Sequence, residues 1–341
     1  MVLGRKGSLG GVYYCEVPFW PHDTTLWVKD FHGNDPRFVY YWLQTLGLGH
    51  YDVGASNPTL NRNHVHLLSS AIPEMATQRK IAAILSAYDD LIENNSRRIK
   101  LLEEMAQRIY QEWFVDFRYP GHEGVPLVDS ELGPIPEGWG VRPLSSLTDT
   151  ISRGVSPKYV EISSQLVINQ KCIRNGTLTL ALARTHVTTV PPTKMLQLGD
   201  VLINSTGVGT LGRVAQVLFP PERVTVDSHV TIVRPAVHTA GAEFLGLTLL
   251  AREPDLEAMG VGSTGQTELG RTAIGDLRIV VPPLTIQEAF ANSVGPARRL
   301  PIALAAATFT LRATRDLLLP HLISGEIDVT DLNIAIPDEA A

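Results

Sequence analysis

The sequence predicts a mixed α+β chain. Two similar domains built on mixed β-sheet are separated by two long antiparallel coiled-coil helices, and the first domain is expected to be N-terminally truncated. Three observations predict this: an internal repeat, a sustained heptad, and β-rich runs punctuated by glycine.

The repeat decides how many units there are to explain. Gly7-Ser8-Leu9-Gly10-Gly11-Val12 matches Gly209-Thr210-Leu211-Gly212-Arg213-Val214. Gly54-Ala55-Ser56 matches Gly262-Ser263-Thr264, and Arg62 matches Arg271. Ile72-Pro73 and Gln78 match Val281-Pro282 and Gln287. The offset drifts only from 202 to 209, far too long a period for a solenoid. The pattern is two copies of one unit, each a domain followed by the same kind of helical segment. Met1 aligns near Leu202 or Ile203, whereas the second domain begins at about Pro136. The first copy is thus expected to lack a counterpart to about 65 to 70 residues of the second.

The helices come next. In residues 78–117 one heptad position holds Ile81, Tyr88, Asn95, Leu102 and Ile109, and the other holds Leu85, Ile92, Ile99, Ala106 and Trp113. Five heptads in phase predict a coiled-coil helix whose seam needs a partner helix to cover it. About 40 residues at 1.5 Å each span roughly 60 Å. Asn95 in the seam is expected to fix register at some cost in stability. The second helical segment, residues 286–324, has looser spacing. Gly295-Pro296 and Pro301 predict a break, since proline lacks the N–H and clashes with the preceding turn. A short helix to Val294 is expected, then a longer one with Pro301 in its first turn. Packed antiparallel, the two segments would bury each other's seams and hold the two domains at opposite ends of a rod.

In the second domain, residues 200–204, 213–217 and 224–233 read as strands. Gly207, Gly209 and Gly212 punctuate the first turn, and residues 244–250 read as a short helix. Residues 121–140, with Pro126, Pro134 and Pro136, read as a linker.

The chain has 341 residues, 44% hydrophobic and 19% charged, which suits an ordinary folded protein. No apolar run approaches a membrane span, and the start has no apolar stretch suited to a signal peptide. Cys15 and Cys172 lie far apart, so a cytoplasmic, thiol-reduced protein is expected. A net charge of −6 argues against a simple basic nucleic-acid binder. The acid is uneven, however. Residues 137–283 carry 13 Lys and Arg against 12 Asp and Glu, and residues 284–341 carry 4 against 7. A near-neutral domain can bind DNA if its few cations share a face, with partners supplying part of the affinity.

Catalytic motifs are not found. Gly207-Val208-Gly209-Thr210-Leu211-Gly212 fits GxGxxG, but a β-like run follows where a dinucleotide site needs a helix N-terminus. There is no GxxxxGK[ST] loop for a nucleotide. Asp89, Asp90 and Glu93 sit off the heptad seam and read as a solvated face. His64 and His66, two apart as on one face of a strand, lack further ligands for zinc. No cofactor and no metal are expected. The polar run of residues 167–176 offers side chains that read base edges and phosphates. Lys158, Tyr159, Asn169, Gln170, Lys171, Arg174, Ser205, Thr206 and Gln266 are the candidate DNA contacts, chosen for side-chain chemistry in turn-rich segments.

Several long motifs carry a family resemblance. Ile72-Pro73, Gln78-Arg79-Lys80-Ile81-Ala82-Ala83-Ile84-Leu85 and Tyr88-Asp89-Asp90-Leu91-Ile92-Glu93-Asn94-Asn95 resemble the central conserved region of type I restriction-modification DNA specificity subunits. So do Glu112-Trp113-Phe114-Val115-Asp116-Phe117-Arg118 and Ile135-Pro136-Glu137-Gly138-Trp139. Arg315-Asp316-Leu317-Leu318-Leu319-Pro320 and Ser324-Gly325-Glu326-Ile327 echo the second conserved region, and residues 199–207 resemble the target-recognition domains. The resemblance covers nearly the whole chain. It implies a partial first target-recognition domain (1–73), a first conserved coiled-coil helix (74–118), a linker (119–136), a second target-recognition domain (137–283), a second conserved helical region (284–326) and an acidic C-terminal tail (327–341). It further implies a non-catalytic, sequence-specific DNA-binding subunit. Its partners would be double-stranded DNA with a split site, two methyltransferase subunits and a restriction and translocation subunit, and no membrane. The alternatives are a stand-alone DNA methyltransferase or nuclease, or a coiled-coil scaffold that truncation has left unable to read DNA. An amino-methyltransferase of that kind needs (Asp/Asn)-Pro-Pro-aromatic. Pro191-Pro192, Pro220-Pro221 and Pro282-Pro283 have neither flank.

Overall fold

A computed structural model of the chain describes residues 1–6, 9–52, 59–262 and 267–336. It comprises two compact units, Met1–Arg97 with Leu304–Ala341, and Arg98–Ala303. The sequence matches that involve Gly7-Ser8, Gly54-Ala55-Ser56 and Ser263-Thr264 lie wholly or partly outside the described residues.

In the first unit, β1 (Val2–Gly4) is central in an antiparallel sheet between β2 (Val12–Tyr13) and β3 (Thr25–Trp27). Helix α1 (Pro36–Thr45) starts where the Asp35 carboxylate accepts from the Phe38 N–H, with Pro36 at the first helical position. One face of α1 puts Leu43 with Met1, Leu3, Leu48 and Leu60 under the sheet. Its other face puts Phe38 and Tyr41 against Ile81, Ala82 and Leu85 of the first long helix, Met75–Tyr110. Leu322 of the second long helix, Leu284–Ser324, completes this cluster. Lys80 donates to the Thr330 carbonyl, and Asp89 pairs with Arg315. The partner number falls as the first helix advances, so the two segments run antiparallel within this unit.

Residues Arg62–Val65 form one helical turn, begun by the Asn61 side chain accepting from the Asn63 N–H. The strand expected around His64 and His66 is therefore corrected. A capping side chain overrode the two-residue spacing, and both histidines are exposed.

The second unit holds the mixed sheets that the sequence predicts. Strand β4 (Gly140–Pro143) pairs with β12 (Arg278–Val281). The main antiparallel sheet has the order β9 (Val214–Gln216), β8 (Val201–Asn204), β11 (Val230–Pro235), β5 (Thr148–Arg153). In a third sheet β6 (Leu166–Ile168) pairs antiparallel with β7 (Arg184–Thr185) and parallel with β10 (Val224–Val226). Every residue of β8 is buried, because both faces are covered. Val201 and Ile203 join the cluster with Phe244, Leu245 and Leu249 of helix α2 (Ala242–Ala251), and Leu202 joins Ile168, Ile173 and Val226.

Three expectations change here. Residues 224–233 are two strands in two sheets. Asp227 turns the chain between them, its carboxylate accepting from the His229 N–H, and β propensity alone carries no trace of that turn. The stretch read as a linker is folded. Residues Leu127–Val128 pair with Ile135–Pro136, and Tyr119, Ile135 and Trp139 are buried in the main core. The second long helix is continuous from Leu284 to Ser324 through Pro296 and Pro301. Each interior proline costs about 3 kcal/mol relative to alanine. Tertiary packing offsets it: in this unit Phe290, Val294 and Ala297 are buried, and Arg298 pairs with Glu243.

Around Phe290 the same unit gathers Tyr110, Trp113 and Phe114. The last lies beyond the α-helix in a π turn, Gln111–Val115, and its ring stands 4.7 Å from that of Phe290. Along the first long helix Ile81, Leu85, Ile92, Asn95 and Ala106 are buried and Tyr88, Ile99, Leu102 and Ile109 half-buried, as is Trp113 in the π turn that follows.

Candidate nucleic-acid interface

Eight of the nine sequence-chosen contacts fall within the second unit's described residues. Gln266 lies outside them. The structure divides the eight into three small groups.

The first group lies at the edge of the third sheet. Residues 158–160 run beside β7: Val160 N–H donates to the Thr185 carbonyl, and Val187 N–H to the Lys158 carbonyl. Tyr159 sits opposite His186 and lies under the Arg184 guanidinium, which is 3.4 Å from the ring centroid. Stacking holds that cation in a fixed place. Lys158 and Tyr159 are both exposed. Desolvation pushes the His186 imidazole below its ordinary value, so it stays neutral behind this edge.

The second group follows β6. Asn169 caps the tight turn Gln170–Cys172: its Oδ1 accepts from the Lys171 N–H at 2.9 Å and its Nδ2 donates to the Leu182 carbonyl at 3.2 Å. With both ends of its amide engaged, Asn169 shapes the turn. Cys172 and Ile173 anchor it in the core. Asn175 and Gly176, both at positive φ, then turn a two-stranded hairpin that leaves Arg174 exposed, as Lys171 is.

The third group is a polar chain at the end of β8. Gln170 Nε2 donates to Thr206 Oγ1 at 2.8 Å and to the Thr206 carbonyl at 3.0 Å. Thr206 Oγ1 lies 2.9 Å from Nδ1 of the exposed His229. Ser205 is removed from the candidates. It is fully buried, with its hydroxyl 2.6 Å from Thr231 Oγ1 inside the main sheet.

The electrostatics favour an anion. Residues 162–199 contain Lys171, Arg174, Arg184 and Lys194 and not one carboxylate. The next acid, Asp200, is buried and forked onto Arg234, with two bonds of 2.8 Å. Among the described residues no ion pair joins Lys158, Lys171, Arg174 or Arg184 to a carboxylate. Sequence reasoning missed Arg184 and His229. The acid-free stretch is the signal that would have found Arg184; His229 shows only once β8 and the Asp227 turn come together.

The GxGxxG run is the loop of the β8–β9 hairpin, where Ile203 faces Val214, so it leads into a strand and does not open a helix. Among the described residues no group of three or more His, Cys, Asp or Glu could hold a metal ion. No helix among them is long and apolar enough to cross a membrane.

Comparison with known proteins adds the following. A family model, the type I restriction modification DNA specificity domain, matches residues 1–104. The specificity subunit of the type I restriction enzyme MjaIX of Methanocaldococcus jannaschii is 26% identical over 342 residues, covering 97% of this chain and 78% of that protein. The HindI specificity subunit of Haemophilus influenzae is 42% identical over 60 residues, 18% of this chain and 13% of that one. Among solved structures, the type I restriction-modification S subunit from M. genitalium superposes with a TM-score of 0.67 at 16% identity, over 94% of this chain and 82% of that chain. That likeness is one of fold.

Proposed function

We propose that the chain is a type I restriction-modification DNA specificity subunit, a reading supported by the family match over residues 1–104 and the 26% identity across 97% of the chain, and that it reads a split double-stranded DNA site, one half with each of its two recognition domains. It has no catalysis of its own, as a specificity subunit that directs methylation and cleavage by its partners. Those partners are two methyltransferase subunits and a restriction and translocation subunit, assembled in the cytoplasm where the DNA lies. The domain limits 1–73 and 137–283 for the readers, and 74–118 and 284–326 for the helices between them, serve this reading, with 119–136 joining them and 327–341 as the acidic tail.

The observation that carries the reading at the site is the acid-free stretch of the second domain. It sets Lys171, Arg174 and Arg184 on the surface without carboxylate partners among the described residues. With Lys158 they supply phosphate contacts, which position a protein on DNA without reading its sequence. Gln170, Thr206 and His229 offer donors and acceptors suited to base edges. Asn169 shapes the turn that carries Gln170 and Lys171. The helical seam of Ile81, Leu85, Tyr88, Ile92, Asn95, Ile99, Leu102, Ile109 and Trp113 serves as the spacer that fixes the separation of the half-sites.

The test is base-resolution footprinting of the chain assembled with its methyltransferase subunits. Two protected half-sites separated by an unprotected spacer are expected. Protection without sequence preference would contradict the reading.

A further inference from the structure

We propose that Gln78 and Gln287 are paired positioning residues, each locking the first turn of a long helix to the short helix of the preceding recognition domain and so fixing the angle from which that domain meets DNA. The proposal rests on the reading of the chain as a two-part DNA reader.

The geometry is the same in both units. Gln78 Oε1 accepts from the Asp35 N–H at 2.9 Å, and its Nε2 donates to the Pro73 carbonyl at 2.9 Å and to Asn34 Oδ1 at 2.9 Å. Gln287 Oε1 accepts from the Gly241 N–H at 2.8 Å, and its Nε2 donates to the Pro282 carbonyl at 2.8 Å. Asp35 and Gly241 are the N-cap residues of α1 and α2. Each proline stands five residues before its glutamine, on the chain entering the long helix. One amide thus ties three pieces of backbone together, and both amides are buried, at 3% and 1% exposure.

The surroundings differ, which isolates what is shared. Asp35 caps α1 with its own carboxylate, whereas Gly241 has no side chain to cap α2. The common feature is a side chain that accepts and donates at once. Ionised glutamate only accepts, lysine only donates, and methionine of similar shape offers neither strong donor nor strong acceptor. Both clamps sit at the root of a lever. A tilt of about 10° at the joint swings a surface roughly 20 Å away through about 3.4 Å, the rise of one base pair. A loosened joint therefore blurs spacing before it alters which bases are read.

The experiment uses the full chain assembled with its methyltransferase subunits. Methylation is measured on duplexes carrying the split site with its native spacer and with spacers one base pair shorter and longer. In Gln287→Met and in Gln78→Met, the preference for the native spacer is expected to fall at least about tenfold, the effect of losing the two hydrogen bonds of Gln287 or the three of Gln78. The base preference within each half-site stays as in the wild type. Asn34→Ala, which removes one of the three partners of Gln78 and leaves its bonds to Asp35 and Pro73, is expected to lose less, and it is read in the same way if the methionine variants do not fold. Folded variants that keep the wild-type spacer preference overturn the proposal. A wild-type complex with no spacer preference at all overturns instead the two-part reading on which it rests.

Discussion

Arg315 donates to Asp89 in the first unit, joining the two long helices, and Tyr41 Oη donates to the other oxygen of the same carboxylate at 2.6 Å. The sequence set Asp89 beside Asp90 and Glu93 on a solvated face. The structure leaves Asp90 and Glu93 there, with Glu93 paired to Arg97, and makes Asp89 a half-buried junction between α1 and both helices. Burial and the adjacent Asp89 push the Tyr41 hydroxyl well up, which keeps it a donor. The Arg315 and Asp89 side chains are 26% and 29% exposed, between the surface and buried cases. Arg315→Met is therefore expected to cost about 1–2 kcal/mol, read as a lower urea midpoint with an unchanged slope. An unchanged midpoint would show that the pair adds nothing to the packing of Leu85 and Leu322.

Pro296 lies exposed inside a continuous helix. Its ring removes one helical hydrogen bond, and the burial of Val294 and Ala297 holds the helix together regardless. Pro296→Ala is expected to stabilise the chain by about 1–3 kcal/mol, part of the proline cost being returned as added freedom of the unfolded chain. Thermal unfolding should move upward. A downward shift would mean that the surrounding core was built around a bend at this residue.

Asp227 gives a pH dependence of definite sign. Burial pushes its carboxyl up, against the opposing effect of the His229 and Val230 backbone N–H groups. A carboxyl raised in the folded state favours folding fully below the ordinary aspartate value of 3.8, and that contribution is lost as pH rises through the folded value. Asp227→Asn keeps an acceptor for His229 and removes the buried charge. Stability should rise at pH 7, and the gain should shrink toward pH 4 and below. A gain independent of pH would assign the effect to packing.

Lys171 is exposed and, among the described residues, forms no ion pair, so its role as a phosphate contact is open to test. Lys171→Ala should weaken binding to all sequences alike and reduce the slope of log affinity against log salt by about 1. Ser205→Ala, at a buried hydroxyl, should leave the salt slope untouched and cost stability instead. A sequence-selective loss in Lys171→Ala would move that residue from the backbone to the bases.

Much of this architecture was legible because it depends on periodicity. The spacing from Ile81 to Trp113 marks a helix needing cover, and the match of Gln78 with Gln287 marks two equivalent joints. What was hidden depends on side chains that turn the chain or meet across it. Asp227 splits one run of β formers into strands of different sheets. Asn61 turns the His64 segment into a helix. Phe290 and Val294 carry a helix past prolines that local rules read as a stop. Among the candidate contacts, polarity alone could not separate the exposed Lys171 from the buried Ser205, because burial is set by which sheet position a residue occupies.

The central claim is that half of the DNA site is read by the second recognition domain. It is tested most directly by exchanging residues 137–281 for the matching segment of a relative with a different site, and mapping the methylated sequence with the assembled complex. The account predicts that one half of the split site changes to that of the relative while the other half and the spacer stay as they were. An unchanged site, or a change in both halves, would contradict it.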